Sequence, residues 1–205
     1  MSFLFCFDFD QTISNEHLFN PLFYLSRSGM ARENLINHGV ALMQKYGVKG
    51  GDLFWEIIAK ILQSEHQIAI VTFSAYPDFI RATMLEGLQK LRNFGCTPEH
   101  IRKWRQSVIA YGDVAPQYSP LNAPEYCIHI RSADGWKPEL GKSLHIQQAK
   151  QIYERANHKF FDKVFLIDDD PYNIEMAKKN HDMGILVPQE PNAQIHLMAL
   201  KTLLI

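Results

Sequence analysis

Cysteine is scarce in this chain, and long apolar runs are absent. The three cysteines among 205 residues (Cys6, Cys96 and Cys127) are odd in number and widely spread. They exclude a dense disulfide framework and predict free thiols in a reducing compartment. No apolar run approaches the roughly 20 residues that a membrane-spanning helix needs, so we expect no membrane span. The apolar N-terminus lacks a basic leader, which argues against a signal peptide and favours a cytoplasmic location.

An excess of charge of either sign is also missing. The formal net charge is −1, so no broad electrostatic surface for nucleic acid is expected. Nine histidines are present, but none falls in the HxH or HExxH spacing typical of zinc sites. The sequence contains no internal repeats or low-complexity segments. Apolar residues make up 46% of the chain, which is ordinary for a globular protein.

Short apolar runs alternate with helical patterns along almost the whole chain. The predicted strands are Phe3 to Phe7, Ile68 to Thr72, Val108 to Tyr111, Tyr126 to Ile130, Lys163 to Ile167 and Ile185 to Val187. The segments between most of them carry apolar residues at helical spacing. This alternation predicts an α/β fold, with a doubly wound parallel sheet in a single domain of residues 1–205. The helical stretch at about 14–49 is too long for a plain crossover and predicts a small helical cap insertion.

The most informative motif follows the first predicted strand. Asp8 and Asp10 stand one residue apart in the run FDFDQT, and Thr12 follows them. Parallel α/β sheets bind ligands in the crevice outside the carboxyl ends of their strands. Two neighbouring carboxylates repel each other, so at that place they indicate a metal ion or a reacting phosphate group.

Further polar residues stand at corresponding places along the chain. The second strand ends in Thr72, with Ser74 close behind it, and Lys142 directly precedes a predicted helix. The fourth core strand, KVFLI, ends in an acidic pair with an asparagine on the next helix: Asp168, Asp169 and Asn173. If the strands are parallel, all of these residues lie at the same edge of the sheet. Asp170 and Pro171 have the simpler interpretation of a helix N-cap and first helical residue.

The order DFDQT, IVTFS, Lys142 of GKSLHI and LIDDDPYN resembles the four motifs of the haloacid dehalogenase superfamily of phosphatases. The resemblance covers the chain from Phe3 to about Pro188, except for the cap region. Residues 142–174 also look like the small-cap, magnesium-dependent branch that acts on phosphoproteins. Relatives in that branch include protein tyrosine phosphatases, some of which bacteria deliver into host cells.

The resemblance implies a role for each matched residue. Asp8 would be the nucleophile that forms an aspartyl-phosphate, and Asp10 would be the general acid and base. Thr72 and Lys142 would bind the phosphoryl group. Mg²⁺ would be held by Asp8, the backbone carbonyl of Asp10 and Asp169. The remaining matched residues, Asp168, Asn173 and Ser74, would play supporting roles, and Thr12 would brace the turn.

The substrate expected from this resemblance is a phosphorylated protein or peptide, with phosphotyrosine first. A small cap leaves the site open, and the aromatic residues Phe73, Tyr76 and Trp136 suit an aryl phosphate. Hydrolysis of a small metabolite such as a sugar phosphate is the enzymatic alternative. A catalytically silent binding module with the same fold is the alternative of another class. A receiver-type signalling module is excluded because its acidic pair comes first in the chain, whereas here it comes last.

Three features have competing interpretations. Lys137 competes with Lys142 for the position of the catalytic lysine, and geometry has to choose between them. Cys96 to Arg102 fits the C-x5-R spacing of cysteine-dependent tyrosine phosphatases but lacks glycines, and Pro98 is expected to begin a helix inside it. Trp136 is either a substrate contact or a buried anchor for its loop.

Overall fold

A computed structural model of the chain describes residues 1–112, 127–130, 138–157 and 160–204. Within these ranges no helix is both long and apolar enough to cross a membrane. The strands are β1 (Phe3–Phe7), β2 (Gln67–Thr72), β3 (Val108–Gly112), β4 (Cys127–Ile130), β5 (Lys163–Asp168) and β6 (Met183–Leu186). The helices are α1 (Phe19–Arg27), α2 (Arg32–Tyr46), α3 (Asp52–Gln63), α4 (Pro77–Glu86), α5 (Leu88–Asn93), α6 (Pro98–Arg105), α7 (Ser143–Asn157), α8 (Pro171–Lys179) and α9 (Ile195–Leu203).

The six strands form one sheet in the order β4-β3-β2-β1-β5-β6, and every neighbouring pair is parallel. β1 lies in the middle, between β2 and β5. Helices cover both faces, which confirms the predicted doubly wound α/β fold. Since all strands run the same way, their carboxyl ends meet at one edge of the sheet, here called the carboxyl edge, and their amino ends at the opposite amino edge.

Alternate residues of β1 pack on opposite faces of the sheet, because successive strand side chains point to opposite sides. Phe5 and Phe7 belong to the larger hydrophobic cluster, together with residues of α3, α4, α6 and α9. Leu4 and Cys6 belong to a smaller cluster with α7 and α8. These four side chains are at most 1% exposed, so an uninterrupted apolar run is what this strand requires.

The apolar spacing after β2 predicts one helix from Pro77 to about Asn93. The structure has two helices there, α4 and α5, with Gly87 between them. A Cβ atom at Gly87 would lie 2.0 Å from the Trp55 ring of α3. The tight approach of the indole explains why glycine stands at this break.

The two ends of the insertion between β1 and α3 lie next to each other. Ser14 and Val48 form an isolated antiparallel bridge, and the Lys49 amide donates to the Ile13 carbonyl at 2.8 Å. α1 and α2 lie between these ends, and α2 packs against α4. Whether this segment acts as a cap stays a prediction from the sequence.

The amino edge is stabilised by a tyrosine between two strands. The Tyr153 hydroxyl of α7 accepts a hydrogen bond from the Val108 amide at 2.9 Å and donates one to the Ile68 carbonyl at 2.5 Å. These two backbone groups belong to β3 and β2. Both are therefore satisfied although they are buried.

Candidate active site

The carboxyl edge brings together side chains from four distant parts of the sequence. Asp8 follows β1, Thr72 ends β2, Lys142 precedes α7 and Asp168 ends β5. The Asp8 amide donates to the Ile167 carbonyl at 2.9 Å, so Asp8 continues the pairing of β1 with β5. All four of these site side chains are buried.

Lys142 lies between two carboxylates in the interior. Its Nζ donates to Asp8 Oδ1 and lies 2.9 Å from Asp168 Oδ2, while the lysine is only 2% exposed. Burial would lower the pKa of Lys142, but Asp168 and Asp8 raise it above its usual value. The two carboxylates therefore favour the charged form of Lys142 beside Asp8. Its competitor Lys137 lies outside the described residues.

Both carboxylate oxygens of Asp168 have hydrogen-bond donors nearby. Its Oδ1 accepts from the Asp170 amide at 2.9 Å, and Asn173 Nδ2 lies 3.3 and 3.2 Å from the two carboxylate oxygens. Together with Lys142, these contacts use the hydrogen-bonding capacity of the carboxylate almost fully. Asp168 is thus suited to orienting Lys142, and Asn173 to orienting Asp168.

Gly141 allows the chain to pass close to Asn173 just before Lys142. Its φ is +51°, and a Cβ atom there would lie 2.9 Å from Asn173 Oδ1. A side chain would meet both the strain of positive φ and this close contact. The glycine therefore helps to place Lys142 under Asp8.

Asp10 caps α1 from outside the helix. Its Oδ1 accepts hydrogen bonds from the Leu18 amide at 2.7 Å and the Phe19 amide at 3.3 Å, at the start of α1. Leu18 itself offers no side-chain acceptor to these orphan amides. Burial raises the pKa of Asp10, and His17 together with the two amides opposes the rise.

Thr72 and Ser74 lie beside each other at the end of β2. The Thr72 hydroxyl oxygen accepts a hydrogen bond from the Ser74 amide at 3.1 Å, which leaves its proton free to be donated. Both side chains line the cavity at the site. They offer two hydroxyl groups to the same cavity as Asp8 and Asp10.

The cavity at the carboxyl edge has a volume of about 180 Å³. Its lining combines acidic, hydroxyl and aromatic side chains with one lysine and one histidine, and it consists of Asp8, Asp10, His17, Phe19, Thr72, Phe73, Ser74 and Lys142. The Phe73 ring also lies 5.2 Å from Lys142 Nζ, in a cation–π contact. The cavity is smaller than the pockets of roughly 300–1,000 Å³ that enclose a whole small-molecule ligand.

Three carboxylates could hold a metal ion together. One oxygen each of Asp8, Asp168 and Asp169 lies within 4.8 Å of the others. Burial raises the pKa of Asp8, with Lys142 opposing and Asp168 adding to the rise, and burial and Asp168 also raise the pKa of Asp169. Such rises mean that these acids repel each other and are poorly solvated as anions, which a divalent cation would relieve.

The donor set fits Mg²⁺, which takes oxygen ligands and usually keeps several waters. Asp8 and Asp169 are the better direct ligands because Asp168 is already occupied by Lys142 and Asn173. Thr12 donates to Asp169 Oδ1 at 3.4 Å, which leaves the other oxygen of Asp169 for a metal. The contact joins the turn after β1 to the acidic pair after β5.

Sequence reasoning missed several residues at the site. His17 and Phe19 line the cavity, and His17 Nδ1 lies 4.0 Å from Asp10 Oδ2. His145 packs edge-on against Phe73, and burial, with Lys142 adding to it, lowers the pKa of this imidazole to about 3. The available signal was Leu18 at the N-cap of α1. Leucine has no side-chain acceptor for the first helical amides, so another residue has to accept their hydrogen bonds.

Cys96 and Arg102 do not form a phosphate-binding loop. α6 begins at Pro98 between them, and Arg102 pairs with Glu99 on the same helix. Burial raises the pKa of the Cys96 thiol, which is the wrong direction for a nucleophile. Trp136 lies outside the described residues.

Comparisons of the chain with protein-family models, with curated proteins and with solved structures find no match.

Proposed function

We propose that this protein is a magnesium-dependent phosphatase of the haloacid dehalogenase type, most suited to phosphotyrosine in a protein or peptide. The main support for the proposal is the position of Asp8 relative to its charged neighbours. This carboxylate touches Lys142, lies beside Asp169, and is followed two residues later by a second acid, Asp10. An anionic nucleophile, a fixed cation and a second acid are the groups that phosphate ester hydrolysis requires.

The chain's own residues account for both halves of the reaction. An oxygen of Asp8 attacks phosphorus, a new O–P bond forms, and the ester O–P bond breaks. Asp10 gives its proton to the departing oxygen. Asp10 then takes a proton from the water that attacks the aspartyl-phosphate, so that inorganic phosphate leaves and Asp8 is restored.

Charge is the main obstacle to this attack, because an anionic carboxylate approaches a phosphate dianion. Two like charges about 4 Å apart repel by roughly 4 kcal/mol at an effective dielectric near 20. The Lys142 ammonium offsets part of this repulsion. The Thr72 hydroxyl can donate a hydrogen bond to a phosphoryl oxygen. A Mg²⁺ held by Asp8, the Asp10 carbonyl and Asp169 would neutralise further charge on the phosphoryl oxygens.

The cavity favours an aryl phosphate carried by a larger molecule. A volume of about 180 Å³ accommodates a phosphoryl group and the atoms next to it rather than a whole enclosed metabolite. Phe19 and Phe73 supply apolar, aromatic surface at the same cavity. Tyr76 is buried and is not among the lining residues; it packs behind Phe19, with 5.7 Å between the ring centroids.

The test is Mg²⁺-dependent hydrolysis of an aryl phosphate, followed by a panel of phosphotyrosine, phosphoserine and phosphothreonine peptides beside sugar phosphates. Asp8→Asn should lower kcat by at least about 1,000-fold, because the amide is no nucleophile. Asp170→Asn is the matched control: the same chemical change falls on an exposed N-cap residue, where asparagine serves equally well.

Each outcome separates the candidates. Preference for phosphotyrosine peptides supports the proposal, and preference for sugar phosphates would favour a metabolite phosphatase. Unchanged turnover in Asp8→Asn would remove the aspartyl-phosphate mechanism. No turnover of any phosphate ester by the wild type would leave a silent binding module as the better interpretation.

A further inference from the structure

Lys49 is a buried lysine that the proposed mechanism does not use. Its side chain is 0% exposed, although lysine is seldom fully buried without a charged partner. Its Nζ donates to the Pro188 carbonyl at 2.8 Å, a neutral acceptor. Its charge therefore needs another explanation.

Two short paths through hydrogen bonds connect Lys49 with the acidic pair at the end of β5. The Lys49 amide donates to Ile13, and the neighbouring Thr12 donates to Asp169 Oδ1 at 3.4 Å. On the other side, Pro188 follows Val187, whose amide donates to the Asp168 carbonyl at 2.8 Å. Lys49 thus joins the chain after β1 to the chain after β6, and both segments are hydrogen-bonded to the acidic pair.

The charges around Lys49 are unevenly solvated. Burial lowers the pKa of Lys49, and Asp169 gives the largest opposing effect, followed by Glu190 and Glu16. Glu190 and Glu16 are exposed, so water screens them more than it screens Asp169, which is half-buried. The remaining titratable neighbour, His196 of α9, is buried and kept neutral.

We propose that Lys49 is a positioning residue that sets the charge of the site, weakening binding of the divalent cation and strengthening binding of the phosphate dianion. This inference rests on the proposed function. With Lys49 charged, the acidic group has two ammonium neighbours: Lys142 contacts Asp8 and Asp168, and Lys49 interacts electrostatically with Asp169. Removing one of them leaves a more negative site, which attracts Mg²⁺ and repels phosphate.

The experiment compares Lys49→Gln with the wild type. Glutamine retains a donor for the Pro188 carbonyl and removes the charge. Calorimetric titration of the substrate-free protein with Mg²⁺ should give a Kd about 3- to 10-fold lower, the size expected for a unit charge acting on a divalent ion through a largely aqueous dielectric. The KM for an aryl phosphate should rise by a similar factor, and Lys49→Arg should restore both values.

Lys103→Gln is the matched control. Lys103 is also partly buried and also donates to backbone carbonyls, those of Leu62 and Ser64, but it lies at the amino edge. Its replacement should leave both the Mg²⁺ Kd and the KM unchanged. A purely structural role for Lys49 would weaken Mg²⁺ binding and raise KM together, so that result, or no change in either constant, would overturn the inference.

Wild-type protein gives an independent readout if the neutral variants do not fold. Lysine side-chain NMR should show the Lys49 signal shifting on addition of Mg²⁺ while the Lys103 signal stays in place. A Lys49 signal that does not respond would overturn the inference. Failure of the wild type to bind Mg²⁺ in the calorimeter would instead count against the proposed function.

Discussion

Each edge of the sheet holds a lysine that is at least partly removed from water, and the surroundings shift the pKa values of the two lysines in opposite directions. At the carboxyl edge Lys142 contacts two carboxylates, Asp8 and Asp168, which raise its pKa. At the amino edge Lys103 donates to the carbonyls of Leu62 and Ser64 at 3.3 and 2.9 Å. Burial lowers the pKa of Lys103 to about 8.

The two lysines differ in the charge of their partners, and this difference indicates what each lysine does. Carbonyl groups satisfy the hydrogens of an ammonium group but carry no net charge, so the cost of burying its charge persists. Lys103 therefore stabilises the C-terminal end of α3 by donating hydrogen bonds to carbonyls there. Two carboxylates offset the cost of burying the charge of Lys142. The resulting group of charges is suited to chemistry rather than to stability.

Replacing the two lysines by methionine is the strongest way to break this comparison. Lys142→Met should lower kcat/KM for an aryl phosphate by about 1,000-fold or more, because a preorganised charge at the phosphoryl group is lost. Lys103→Met should leave kcat/KM within about two-fold of the wild type, since no reacting group is near it. Steady-state kinetics, corrected for the folded fraction seen by circular dichroism, measure both.

The correction matters because Lys142→Met also leaves two buried carboxylates unpaired. Added Mg²⁺ should therefore raise the melting temperature of Lys142→Met more than that of the wild type. Equal losses of activity in the two variants would erase the distinction between the edges.

Tyr153→Phe sharpens the comparison from the amino edge. Loss of the hydroxyl leaves the Val108 amide and the Ile68 carbonyl buried without their partner. The free energy of unfolding should fall by about 1–3 kcal/mol, measured by urea denaturation. Activity per folded molecule should stay close to that of the wild type. Tyr111→Phe, which alters a buried tyrosine of β3, is a useful companion for the general effect of removing a hydroxyl.

Acid should affect the carboxyl edge through His196. Burial, and then Lys49, lower the pKa of this imidazole to about 4 in the folded protein, against about 6.5 when unfolded. The unfolded chain takes up a proton below pH 6.5 and the folded chain does not, so stability falls between about pH 6.5 and 4. His196→Gln should make this decline shallower by about 2–3 kcal/mol, measured by denaturation at pH 7 and pH 4.5. An unchanged decline would show that His196 is not the group that titrates.

Most of the fold could be predicted because strands buried on both faces must be apolar throughout. The runs FLFCF and KVFLI are interior strands for that reason, and they form the middle of the sheet with β2. The limits of helices were predictable where local chemistry decides them. Asp170 is an N-cap, as expected, and Thr97 caps the helix that begins at Pro98 in the same way, because both side chains accept amide hydrogens.

Long-range packing was not predictable from local patterns. The break at Gly87 depends on the Trp55 ring of another helix, so helical spacing alone suggested one continuous helix. At the site, residues that follow strands were identifiable from the sequence. Lys49, His17 and Phe19 were not, because the insertion that carries them has no fixed place relative to the sheet until it folds.

The two ends of that insertion lie side by side, at the bridge between Ser14 and Val48. A segment joined to its host at one narrow base is interchangeable in principle, since exchanging it for another leaves the sheet and its strand order intact. Yet the amides that hold Asp10 belong to the insertion rather than to the sheet. Any exchange of this segment in evolution would therefore alter the acidity of the second aspartate along with the shape of the entrance.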